Sequence, residues 1–295
     1  MKPAWVVLMC GLCAASLAGD EGARGIVPEE VLQARPPAKG GGTALRAPSR
    51  PSYRSAAGNA MPRRAEGRQI GVTIWKLRKA AGDEEGARIL VQEELETTAW
   101  VPERVSSANR LRAGDRVRLS IESPEAGYLY VIDRERYASG ERGVPYLIFP
   151  TTRTRGGDNR VSGGRLVDIP AQDDRPNFFT LRASRADQSE EELTVLLTPK
   201  PLEGVETGSK PVALAPEQAE QWERQWSAKV DTFELAGGAG RRWTAAEQRA
   251  AADGTRVLTQ DDPAPQTVYR VEGGKEGPLL VKVRLRYGGG TAAHR

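Results

Sequence analysis

Cysteine occurs only twice in the 295 residues, at Cys10 and Cys13, and histidine once, at His294. These absences remove much of the usual enzyme chemistry. A Ser-His-Asp triad, an imidazole zinc site or a histidine general base would require the Gly-rich C-terminal tail to fold back. Thiol catalysis and thiolate metal ligation have no residue beyond Cys13 to use, and the chain after that point must be held without disulfides. Neither Gly-x-x-x-x-Gly-Lys-Ser/Thr nor Gly-x-Gly-x-x-Gly stands between a strand and a helix, so no common phosphate loop is present. After the first residues no apolar run approaches the roughly 18 residues of a membrane helix.

The N-terminus reads as an export signal. Lys2 precedes an apolar stretch from Ala4 to about Ala15, and Ser16-Leu17-Ala18 places small residues at both recognition positions of a signal peptidase. Neither cysteine has the small residues before it that lipid attachment needs. The expected mature chain is therefore soluble and exported, in the periplasm or outside the cell, with no membrane span after cleavage. Of 43 basic and 39 acidic residues only Lys2 lies in the leader. The positive charge gathers instead between Arg35 and Arg68, with eight basic residues against one acid, Glu66. This stretch also carries Pro36, Pro37, Pro48, Pro51, Pro62 and Gly40-Gly41-Gly42, and has little apolar surface to bury. It is expected to be a disordered linker over 19–68. Nucleic acid is an unsuitable partner for an exported basic stretch whose only aromatic ring is Tyr53.

From Gly71 onward short apolar runs follow one another, separated by Gly, Pro, Asn and Asp. Val72, Ile74 and Leu77 suggest a first strand. In residues 114–135 Val117, Leu119 and Ile121 alternate with Arg116, Arg118, Ser120 and Glu122, which predicts a strand with one wet face. Ser123 to Gly127 has turn chemistry, and Tyr128 to Ile132 is apolar on both faces, so the pair is expected as a central hairpin. Further strands are expected at 146–149, 166–169, 178–181 and 193–197. Strands without intervening helices argue for an antiparallel β-sandwich or barrel-like domain over 69–204. Beyond it, Ala219, Trp222, Trp226, Val230 and Phe233 trace one stripe of a helix begun at Pro216. Thr244 to Glu247 forms a capping box. Alternation in Thr267 to Val271 and Val281 to Tyr287 predicts a hairpin. Residues 205–295 are thus expected as a small C-terminal helix-plus-hairpin extension on a mainly β domain.

Carboxylates near strand ends, Asp133, Glu135, Asp158, Asp168, Asp173 and Asp174, have the residue type of a glycosidase acid and base. Acids are also the ordinary residues of turns, so no catalytic residue is assigned, nor any cofactor or metal. Ser227 and Lys229 have the wrong spacing for a Ser-x-x-Lys site, and Gly156 to Asn159 lacks the repeated acids of a calcium loop. Tyr128, Tyr130 and Tyr146 would serve a carbohydrate-binding module only as exposed coplanar rings. Trp222 and Trp226, at helical spacing, read as core.

Gly114-Asp115-Arg116-Val117, Gly127-Tyr128-Leu129-Tyr130-Val131, Leu147-Ile148-Phe149-Pro150, Asn159-Arg160-Val161 and Asp168-Ile169-Pro170 occur in that order. Over about 95–200 this series resembles the bacterial family catalogued as domain of unknown function 4384. The resemblance implies a β-rich module of the cell envelope, often joined in relatives to peptidase or kinase domains. It brings no catalytic set. The expected function is that of a non-catalytic interaction or accessory module, its partner another envelope protein or a polysaccharide. The alternatives are a carbohydrate-binding module and a carboxylate-dependent hydrolase of envelope polysaccharide, which would show a convergent acid pair in a cleft.

Overall fold

In a computed structural model the described residues are 32, 35–37, 51–56, 67–82, 86–93, 96–252, 254, 256–273 and 276–288. The leader and most of the expected linker lie outside them. The strands in chain order are β1 (Tyr53–Ser55), β2 (Gly67–Lys79), β3 (Ile89–Glu93), β4 (Glu96–Val105), β5 (Arg116–Ser123), β6 (Gly127–Tyr137), β7 (Tyr146–Phe149) and β8 (Arg160–Val161). There follow β9 (Arg165–Ile169), β10 (Phe179–Thr180), β11 (Gln188–Thr198), β12 (Val212–Ala213), β13 (Val230–Leu235), β14 (Thr267–Glu272) and β15 (Leu279–Arg286). Helix α1 spans Pro216–Trp226 and α2 spans Ala245–Ala252.

The protein is mainly β, with two antiparallel sheets and no closed barrel among the described residues. The first sheet is organised on β2, whose successive halves pair with β14 and β4 on one edge while β5 lies along the other. In the second sheet the order is β12-β7-β6-β11-β15. Between them sits one core, to which Ile70, Val72, Leu119 and Ile121 contribute from the first sheet and Leu129, Val131, Val195 and Val281 from the second. Every other residue of each strand faces this layer, which is why the period-two pattern is so regular.

The stretch 114–135 is not a hairpin. β5 pairs with β2, β9 and β10, whereas β6 pairs with β11, β7 and β8. The Ser123–Gly127 turn carries the chain across the end of the sandwich, from one sheet to the other. Gly127 is needed there, because a Cβ would stand 2.7 Å from the Thr198 carbonyl oxygen. Likewise β14 belongs to the first sheet and β15 to the second, so Thr267–Tyr287 is an arch and not a hairpin. Their ladders with β2 and β11 cross the boundary expected at 204/205. An arch and a hairpin share turn chemistry and alternation, so local sequence does not separate them.

The helix begun at Pro216 also ends sooner than its apolar stripe suggests. Ser227 is extended (φ −66°, ψ 137°), and Val230 and Phe233 lie in β13. Val230, Thr232 and Phe233 favour a strand, where Phe233 and Leu235 share a face. The capping box does form: Thr244 N–H donates to Glu247 Oε2 at 2.6 Å, and Glu247 N–H donates to Thr244 Oγ1 at 3.2 Å.

The polar face of β5 is dry. Arg118, Ser120 and Glu122 are all buried. Ser120 donates to Asp168 Oδ1 at 2.6 Å and accepts from Trp75 Nε1 at 2.8 Å, while Arg118 donates to Asp168 Oδ2 at 3.1 Å. Alternation distinguishes the two faces of a strand but not whether water or protein covers the polar one. Here cations and acids pair off, which lets the face be covered.

Two described pieces of the expected linker are built into the sheet. Tyr53–Ser55 pairs with β13. Arg35 is 4 % exposed and donates from Nε and Nη2 to both oxygens of Glu122, at 2.8 and 2.7 Å. Removing one member of such a pair strands a buried charge, so Arg35→Ala is expected to cost about 3–5 kcal/mol in urea unfolding. A loss below about 1 kcal/mol would place Arg35 in solvent.

Candidate functional site

Three strands of the second sheet change character at the same end. The core-facing row of β6 runs Leu129, Val131, Asp133, Glu135, Tyr137; that of β11 runs Leu197, Val195, Leu193, Glu191; that of β15 ends at Leu285 and Tyr287. Register sets Glu135 opposite Glu191 and Asp133 opposite Leu193, so Asp133 and Glu191 are diagonal neighbours. Of the acids expected at strand ends, Asp133 and Glu135 are therefore brought together, with Glu191, which sequence reasoning missed.

Glu191 is 5 % exposed, and its Oε1 accepts from Tyr287 Oη at 2.9 Å and from Gln188 Nε2 at 2.8 Å. Asp133 Oδ1 and Glu191 Oε2 are buried with no hydrogen-bond partner, and the two carboxyls lie against each other. Burial, reinforced by the Asp133 charge, pushes Glu191 up to about 8. Burial likewise lifts Asp133 to about 6. At neutral pH the pair therefore carries one negative charge and not two. Glu135 accepts from Tyr137 Oη and from Ser184 Oγ. Such a pair contains an acid and a base, but they are directed at each other. Four grooves and voids along the sheets are lined by other residues. Among the described residues no group of three acids is arranged to hold a metal ion.

The remaining candidates are dispersed. Asp168 is locked by Ser120 and Arg118 inside the first sheet. Asp174 closes two loops by accepting from the Ala171 and Arg155 backbone N–H groups, at 2.6 and 3.1 Å. Asp158 accepts from the Arg160 N–H at 2.9 Å, and Asp158 and Asp173 are exposed. Asn159 Nδ2 donates to the Leu129 carbonyl, so the Gly156–Asn159 stretch is a turn pinned to β6. Ser227 follows α1, and Lys229 pairs with Glu272 at 2.6 Å in solvent. Tyr130 is buried and accepts from the Leu202 N–H, Tyr128 is half-buried, and of the three tyrosines Tyr146 alone is exposed. Trp222 and Trp226 are stacked 6.1 Å apart and rest on the Tyr130, Ile132 and Leu280 cluster. His294 lies outside the described residues.

The outer face of the second sheet carries a denser charge network. Glu192 is fully buried and meets Arg136 at 2.9 Å, Lys282 at 3.0 Å and Arg142 at 3.1 Å. On α1, Glu223 accepts from Arg142 at 2.6 Å and Lys282 at 2.8 Å. The network runs out at β15, the last strand of the sheet. Arg284 and Arg286 are 49 % and 44 % exposed at their side chains, and their nearest acid contacts are 3.7–3.8 Å long. Beyond them no described strand pairs with β15; only Leu111 makes a parallel bridge, to Tyr287. Beside this edge lies a groove of about 330 Å³ between the sheets, with Ile74, Val105, Tyr269, Val283 and Leu285 in its lining. The alternating Lys282, Arg284 and Arg286 are the sequence signal that points to this edge. No family model, curated protein or solved structure matches the chain.

Proposed function

We propose that this protein is an exported, non-catalytic interaction module of the bacterial cell envelope. The leader-like first eighteen residues and the resemblance to the envelope family over 95–200 support the compartment. The observation that carries the interaction role is the edge of β15 above its groove, which no described strand pairs. The groups that could do chemistry are turned inward on one another, whereas this edge presents backbone and charge outward. The second reading, a carboxylate-dependent hydrolase, rests on the Asp133–Glu191 pair, which lines none of the four grooves.

Crosslinking of the full chain in its native envelope, followed by mass spectrometry and a glycan-turnover assay, separates these readings. The expected result is one predominant protein partner and no turnover. Glycan release that is abolished by Glu191→Gln would overturn the interaction reading in favour of the hydrolase. No leader cleavage and no envelope fraction would overturn export.

A further inference from the structure

We infer that the outer edge of β15 accepts an extended segment of a partner protein in which acidic residues alternate with apolar ones. This rests on the interaction reading and specifies the partner. Tyr287 N–H bonds to the Ser189 carbonyl, so Tyr287 faces β11. In an antiparallel ladder this parity alternates, and the backbone groups of Leu280, Lys282 and Arg284 point away from the sheet. Arg286 follows the same parity, because its carbonyl accepts from Leu111 N–H at 2.9 Å, while Gly288 N–H donates to the Leu111 carbonyl. Leu111, 1 % exposed, thus occupies the first pairing position of a strand that no other described residue continues.

A strand continuing from there has two rows of side chains. One enters the groove against Val283, Leu285 and Tyr269, and so must be apolar. The other lies beside Lys282, Arg284 and Arg286, where acids are matched and cations repelled. The protein already shows this rule on the opposite side of β15. In β11 Glu190 stands opposite Arg286 and Glu192 opposite Arg284, while Leu193, Val195 and Leu197 face the core. Glu190 and Glu192 are shared among Arg136, Arg284 and Arg286, with Arg142 and Lys282 also on Glu192. The cation row therefore retains charge for a second acidic strand.

The same row argues against two other occupants. Antiparallel pairing of two β15 edges would set the cations of one copy against those of the other, a repulsion of the kind that protects edges from self-association. The chain's own neighbouring stretches also mismatch, since 57–66 has Arg63 and Arg64 against Glu66, and 289–295 has no acid.

The test uses a dye-labelled peptide with the sequence of residues 188–198, QSEEELTVLLT, titrated into the full-length protein and read by fluorescence anisotropy. A control peptide carries lysine at the positions of Glu190 and Glu192. Saturable binding is expected, about tenfold weaker for the lysine peptide and weakened by salt. Arg284→Gln with Arg286→Gln should weaken the acidic peptide roughly five- to tenfold with an unchanged thermal melt, and should narrow the gap between the two peptides. Hydrogen exchange should slow at the amides of Leu280, Lys282 and Arg284. Equal affinity for both peptides, no binding at millimolar peptide, or protection elsewhere would overturn the inference. If envelope crosslinking then returns a partner whose crosslinks avoid β15, the interaction role survives and this edge assignment falls.

Discussion

Glu192→Gln is expected to lower the unfolding free energy by about 3–5 kcal/mol, read from urea unfolding followed by tryptophan fluorescence. The carboxylate is fully buried, and Arg136, Arg142 and Lys282 approach within 3.1 Å. Burial alone would raise its pKa; Lys282 and Arg136 more than offset this and hold it below the ordinary carboxylate value. Glutamine keeps the shape and loses the charge, so three cations lose their common partner on a face covered by α1. An exposed pair would cost under about 1 kcal/mol. A loss that small would show the network to be solvated, and with it the argument that β15 carries charge to spare would weaken.

Glu191→Gln should act in the opposite direction at alkaline pH. Glu191 and Asp133 are held above their ordinary values, at about 8 and about 6, chiefly by burial. An acid whose pKa is higher folded than unfolded contributes stability below its unfolded value and loses it as the pH rises through the folded one. For this pair the window runs from about pH 4 to about pH 8; Glu135, Tyr137 and Tyr287 at this end bear no positive charge, and Arg185, over the Tyr137 ring, is paired with Glu141 and Asp187. Each tenfold displacement of a proton equilibrium is worth about 1.4 kcal/mol. The wild type should therefore lose on the order of 3 kcal/mol between about pH 5 and pH 9. Glu192 and Glu223 are held low, against burial, by their cation partners. Their contribution is lost in acid, so maximum stability should lie near pH 5–6. In the variant the introduced side-chain amide can donate to Asp133 Oδ1 while its oxygen still accepts from Tyr287. The alkaline limb should flatten in a series of urea melts, and the variant should exceed the wild type at about pH 9. An unchanged limb would show that Glu191 is not held above its ordinary value.

Strand positions were largely legible in the sequence, because each strand has a core-facing row and period-two alternation reports it directly. Pairing was not. Ser123–Gly127 and Gly273–Gly277 look like hairpin turns in the sequence, yet in each case the flanking strands lie in different sheets, and only the partners β2 and β11 reveal this. The stripe through Trp226 to Phe233 misleads for a related reason. Spacings of three and four arise by chance where a helix ends and an alternating strand begins.

The acid site was half legible. Asp133 and Glu135 stand out at the end of an apolar run, but Glu191 sits inside the run Glu190-Glu191-Glu192, which reads as a solvated charge cluster. Register sends Glu191 inward and its two neighbours outward, into different electrostatic environments. Composition and periodicity alone determined the absence of thiol and imidazole chemistry after Cys13 and before His294, the β class, and which residues of each strand share a face. These are properties of residue type and of the two-residue repeat. The dry polar face of β5, the inclusion of Arg35, the burial of Glu191 beside Asp133 and the open edge of β15 among the described residues were decided only by tertiary structure. Each depends on what another segment, distant in sequence, places against it.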